Sequence, residues 1–82
     1  MIPNSINFEI MDYRNYIEIN SSVRFGRPCI KGTRISVYDI LSWLANGKSK
    51  DEIVVDFPEL SAEQINAALS FAADREHKIR VA

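Results

Sequence analysis

From Ser36 onwards the apolar residues return at the three- and four-residue spacing of a single helical face, whereas ahead of it they alternate with polar ones. Ile40, Leu41, Leu44 and Ala45 form the first such stripe, Ile53, Val54 and Phe57 the second, and Ile65, Ala68, Leu69, Ala72 and Ile79 the third. Period 3.6 predicts amphipathic helices, and each stripe is preceded by its own start signal. Ser36 with Asp39, Ser49 with Glu52 and Ser61 with Gln64 are three S-x-x-(D/E/Q) capping boxes, in which the serine hydroxyl and the side chain three residues on satisfy each other's free amides. Asn46-Gly47 and Pro58 supply stops. The helices are therefore expected at about 37–46, 50–56 and 62–80.

Upstream, Ile6, Phe8 and Ile10, then Ile17 and Ile19, alternate at period two, which predicts short half-buried strands. Between Asn20 and Ile35 lie Gly26, Pro28 and Gly32, so the chain is expected to turn there. Cys29-Ile30 and Arg34-Ile35 are placed to pair as a minimal hairpin around Lys31-Gly32-Thr33. The fold class expected is mainly α: a three-helix, helix-turn-helix-like core with a short N-terminal β segment. Residues 1–15 read as an N-terminal arm, and 16–82 as one domain whose β and loop portion spans 16–35.

Composition narrows the class. A chain of 82 residues, 46% hydrophobic and 26% charged, has a globular rather than a disordered make-up, near the size below which a core struggles to stand alone. A homodimer or a partner protein is an economical expectation. No apolar run approaches the roughly 20 residues of a membrane span, and residues 1–14 lack the basic and apolar blocks of a signal peptide. A single cysteine excludes an internal disulfide, and a cytoplasmic location is expected.

The net charge of −1 conceals a polarity. Residues 24–50 hold Arg24, Arg27, Lys31, Arg34, Lys48 and Lys50 against Asp39 alone, while residues 51–82 hold seven acids against three bases. The basic stretch suits a phosphate or a partner's carboxylates. The alternative is a solvated loop paired with the acidic C-terminal part. For Arg34 a local role is expected, either pairing with Asp39 or capping a carbonyl.

The second and third helices are separated by Phe57-Pro58-Glu59-Leu60, the spacing of a helix-turn-helix unit. Candidate DNA readers are then Ser61, Gln64 and Asn66, aided by Lys48 and Lys50. Glu63 opposes that role, and no base precedes Arg75 on the third helix, so phosphate contact has to come from elsewhere. Trp43 flanks the first apolar face and reads as a partly buried aromatic, with an interface anchor as the alternative. Phe71 lies off the Ile65–Leu69–Ala72 face, and either the third helix packs on two sides or Phe71 marks a protein contact, the reading favoured here.

No catalytic set emerges. Gly26 and Gly32 enclose five residues, one more than a nucleotide-binding loop has, and Lys31 precedes the second glycine instead of following it. Cys29 and Arg34 are separated by four residues where a thiol-phosphatase loop has five, so a structural thiol is expected. His77 is the sole histidine, without a companion cluster for zinc. Neither metal, cofactor nor enzymatic activity is expected.

The string Gly26, Pro28, Ile30, Gly32, Thr33, Arg34, Ile35, Val37, preceded by YIEIN at 16–20, carries a further signal. With GKSKDEI at 47–53 and FPELSAEQINAAL at 57–69, it resembles a family of small bacterial proteins known as a domain of unknown function, with the signature G-x-P-x-I-x-G-T-R-I. The resemblance spans roughly residues 16–72. Ser21 and Ser36 stand where the family often has proline, and Cys29 where valine is common. Members resemble antitoxins encoded beside PIN-like nucleases. The resemblance implies a homeodomain-like trihelical core that neutralises a ribonuclease toxin, with binding of its own operator DNA as an added capacity. It assigns no residue a proven role. The competing expectation is a stand-alone helix-turn-helix regulator.

Overall fold

The computed structural model describes the backbone of residues 12–81 and the side chains of residues 12–76. The expected alternation at Ile6, Phe8 and Ile10, and His77, lie outside these described parts. A 3₁₀ turn at Tyr13–Asn15 leads into strand β1 (Ile17–Glu18), which pairs antiparallel with β2 (Cys29–Ile30), Ile17 facing Ile30 and Glu18 facing Cys29. Three helices follow: α1 (Val37–Ala45), α2 (Lys50–Asp56) and α3 (Ala62–Val81). The protein is mainly α with a short β segment near its N-terminus.

Each helix begins where its serine stands. Ser36 Oγ accepts from Asp39 N at 2.9 Å and Asp39 Oδ2 accepts from Ser36 N at 3.1 Å. Ser49 and Glu52 repeat the exchange at 3.1 and 2.8 Å, and Ser61 and Gln64 at 3.3 and 2.7 Å. α1 ends as Asn46-Gly47 foretold: Gly47 takes φ +97°, Lys48 N donates to Trp43 O and Gly47 N to Leu44 O, the paired closure that left-handed glycine permits.

The expected hairpin exists, but in a smaller form. Ile30 N donates to Ile35 O at 2.9 Å and Cys29 bridges to Ser36, so the second arm adds single bonds and β2's main ladder is with β1. β1 stops after two residues, which leaves Ile19 61% exposed.

Ile30, Ile40, Ile53 and Ile65, one from β2 and one from each helix, are fully buried and meet at the centre of the core. Phe71 corrects the sequence reading. It is buried, edge-on to Tyr13 with ring centroids 5.2 Å apart, and Ala67 beside it is fully buried too. α3 thus packs on two sides, and Phe71 belongs to the interior instead of marking a partner contact. Tyr13 also donates its hydroxyl proton to Asp74, so part of the stretch assigned to the arm is bound to α3. Trp43 stacks on Phe57 at 4.4 Å and 9°, the partly buried aromatic expected, clamping α1 to the end of α2.

Candidate functional site

The connection between β1 and β2 is where the backbone departs most from ordinary conformations. Asn20 opens it, its side-chain oxygen accepting from Ser22 N and Ser22 Oγ while Val23 N donates to Asn20 O. The next three residues turn left-handed: φ is +51° at Arg24, +60° at Phe25 and +82° at Gly26. Glycine tolerates this region, whereas the Cβ of an L-residue crowds its own carbonyl there. Bonds from Gly26 N to Val23 O and from Arg27 N to Arg24 O, both 3.1 Å, close the turn.

Arg24 ties this turn to the helical core. One guanidinium nitrogen donates to Arg34 O at 2.8 Å and to Asp39 Oδ2 at 3.1 Å. The role expected of Arg34, pairing with Asp39 or capping a carbonyl, is therefore filled by Arg24, with Arg34 supplying only its backbone oxygen. Burial by itself would push the Asp39 carboxyl up. The bonds it accepts from Ser36 and from Arg24 outweigh that and hold it below its ordinary value.

The remaining cations of the stretch stay outward. Arg27, Lys31 and Arg34 are exposed, and among the described residues no carboxylate pairs with any of them. Arg27 lies over the Tyr38 ring at 5.9 Å, a contact that orients its guanidinium without neutralising it. Their backbone is held by hydrogen bonds. Lys31 N donates to Tyr16 O at 2.7 Å, and the Thr33 hydroxyl bridges Ile30 O and Ile35 N at 2.9 and 3.0 Å. Cys29, 2% exposed beneath them, has its thiol pushed up by burial, so it is a core residue and a poor nucleophile.

The candidate DNA readers fare differently. Ser61 and Gln64 are engaged with one another in the α3 cap. Lys50 Nζ donates to Asn66 Oδ1 at 2.7 Å, and Lys48 pairs with Asp56. All five bind inside the domain, the lysines to Asp56 on α2 and Asn66 on α3. Their bonds leave donors over, among them the amide nitrogens of Gln64 and Asn66, but they tie these side chains to the α3 cap and to the α2–α3 contact.

Phe25 was missed by sequence reasoning. It is 98% exposed, the highest among the large apolar residues described, and it sits within the left-handed turn. The available signal was an aromatic set between two arginines, outside every apolar period and directly before a glycine.

Residues 17–72 match the family described as protein of unknown function, DUF433. The chain belongs to the DUF433 family. The uncharacterized protein y4eO of Sinorhizobium fredii is 32% identical over 59 residues, which are 72% of this chain but only 27% of that protein. The crystal structure of a DUF433 member from Anabaena variabilis superposes with a TM-score of 0.73 at 28% identity, over 82% of this chain and 66% of the other. This DUF433 chain thus spans about a quarter of the first relative and just under two thirds of the second. The matched region holds the left-handed turn, the cations and all three capping serines.

Proposed function

We propose that this domain acts by docking: it neutralises a PIN-like ribonuclease toxin in the cytoplasm by presenting residues 24–34 to the carboxylates that hold that enzyme's metal. The observation that carries this reading is the trio Arg27, Lys31 and Arg34, exposed and without acidic partners among the described residues, on a backbone fixed by the Arg24 tether. Planar guanidinium groups match carboxylates in bidentate fashion, and a fixed backbone lowers the ordering entropy lost on binding. A partner that also completes the small core's protection, or a second copy of the chain, fits a domain of this size. Operator binding would draw on the same loop, since Lys48, Lys50 and Asn66 are engaged elsewhere.

The test is co-expression with the product of the gene adjacent to this chain's own. Co-elution on size exclusion and loss of the partner's ribonuclease activity are expected. The double charge reversal Arg27→Glu with Arg34→Glu should weaken the complex by about 10- to 100-fold, and more so at low salt. An equal affinity for this variant would remove the electrostatic reading. A gel shift on the chain's own promoter, with its salt slope, tests the DNA alternative.

A further inference from the structure

We propose that Phe25 is the apolar anchor of the docking site, inserting into an apolar pocket rimmed by carboxylates on an acidic protein partner. This rests on the docking reading above and deepens it by naming the central contact. Phe25 contributes almost nothing to its own fold, being 98% exposed. Its backbone nonetheless occupies a region that phenylalanine seldom adopts, at φ +60° and ψ +33°. A residue that neither packs nor relaxes the chain is held in place by its neighbours: the Arg24 bonds to Arg34 O and Asp39, the closure of Gly26 on Val23, and the Asn20 turn before it. Strain kept in one defined geometry is the mark of a preorganised contact.

The surroundings specify the occupant. Arg27 follows two residues later, and Arg24 bonds to the backbone oxygen of Arg34, so the exposed ring belongs to the same surface segment, 24–34, as the exposed cations Arg27 and Arg34, which no carboxylate among the described residues pairs. Interface hot spots have this composition: a large aromatic for a desolvated centre, with arginines for the ring around it. The cations call for carboxylates at the rim of the receiving pocket. A single-stranded nucleic acid, stacking a base on the ring, would favour several aromatics along a basic track. Here the exposed aromatics among the described residues are Phe25 and Tyr38, the Tyr38 ring is already covered by Arg27, and the chain's net charge is −1.

The experiment measures binding of the purified adjacent-gene product to the wild type, Phe25→Ala, Phe25→Leu and the Arg27→Glu/Arg34→Glu double variant, by calorimetry at two salt concentrations. Circular dichroism confirms that each variant folds. Phe25→Ala is expected to bind about 30-fold more weakly or worse, with an unchanged salt slope, while Phe25→Leu retains part of the affinity. The double variant loses the salt slope instead. If Phe25→Ala binds as the wild type while charge reversal weakens the complex, the anchor is wrong and the docking reading stands. If no complex forms, or neither substitution matters, both fall. A fluorescein-labelled single-stranded RNA 12-mer serves as the second probe: Phe25-dependent binding of the RNA with Phe25-independent binding of the protein overturns the proposal in favour of nucleic acid.

Discussion

Arg24 and Asp39 show how much one pair of side chains can organise. Asp39 accepts from the Ser36 amide to complete the α1 cap and from Arg24 to fasten the turn, so a single carboxylate oxygen joins helix start and loop. Its folded-state pKa lies below the ordinary 3.8. A depressed carboxyl contributes stability above the unfolded pKa and loses it as pH falls through the folded one. Thermal midpoints measured from pH 7 downwards should therefore hold near neutrality and drop below about pH 4. Asp39→Asn should flatten this contribution while lowering the midpoint at neutral pH. Tyr13 works in the opposite sense. The bond to Asp74 keeps its phenol protonated, raising its pKa above 10, and the stability it lends is present below that value and lost above it. Phe25 carries a cost with no compensating contact. Replacing it by glycine should relieve roughly 1 kcal/mol of left-handed strain, an increase of about 4–8 °C in the melting midpoint, partly offset by the greater freedom of the unfolded chain. Scanning calorimetry of Phe25→Gly checks this, and a fall in the midpoint would show that the turn is not strained.

Among the elements, the helices owe their ends to their caps. Ser36 is the most consequential because it is fully buried, so its hydroxyl cannot be replaced by water. Ser36→Ala should cost about 1–2 kcal/mol, against about 0.5–1 kcal/mol for the exposed Ser49 and Ser61, measured by urea denaturation. The same local logic explains what the sequence revealed. Helix starts at 37, 50 and 62 were legible because each S-x-x-(D/E/Q) box lies directly ahead of an apolar stripe, and both signals fall within a few residues. The short β pairing was less so, since Ile17 and Ile19 alternate like a longer strand while partners are available for two residues only. For Phe71 the choice between two-sided packing of α3 and a protein contact fell on the contact, because the residue that covers the second side, Tyr13, lies 58 positions away in the chain and no local pattern announces it. The cations at 24, 27, 31 and 34 were visible as a group, but not that Arg24 alone turns inward, which depends on a contact fifteen residues away. Phe25 could not be found by periodicity, because its importance lies in a backbone angle that composition encodes only through the glycine after it.

At the scale of the molecule, the charges divide by face of use rather than by position in the chain. Lys48 pairs with Asp56 and Lys50 with Asn66, the second bond joining the second and third helices, whereas Arg27, Lys31 and Arg34 stay exposed on the loop. No helix among the described residues is long and apolar enough to cross a membrane, and no cluster of three metal-binding side chains occurs among them. Four isoleucines lie buried in the core, while the left-handed turn at the surface carries the most exposed large apolar side chain among the described residues, Phe25. The solitary thiol gives this arrangement a practical use. Cys29 lies between the loop and the core, shielded and reluctant to ionise, so an alkylating or disulfide reagent can reach it only when the β2 segment lifts. Native protein should react orders of magnitude more slowly than protein in denaturant, and a bound partner gripping the turn should slow it further. The rate at which Cys29 is modified thus reports opening of the β2 segment, readable by mass spectrometry without introducing a cysteine.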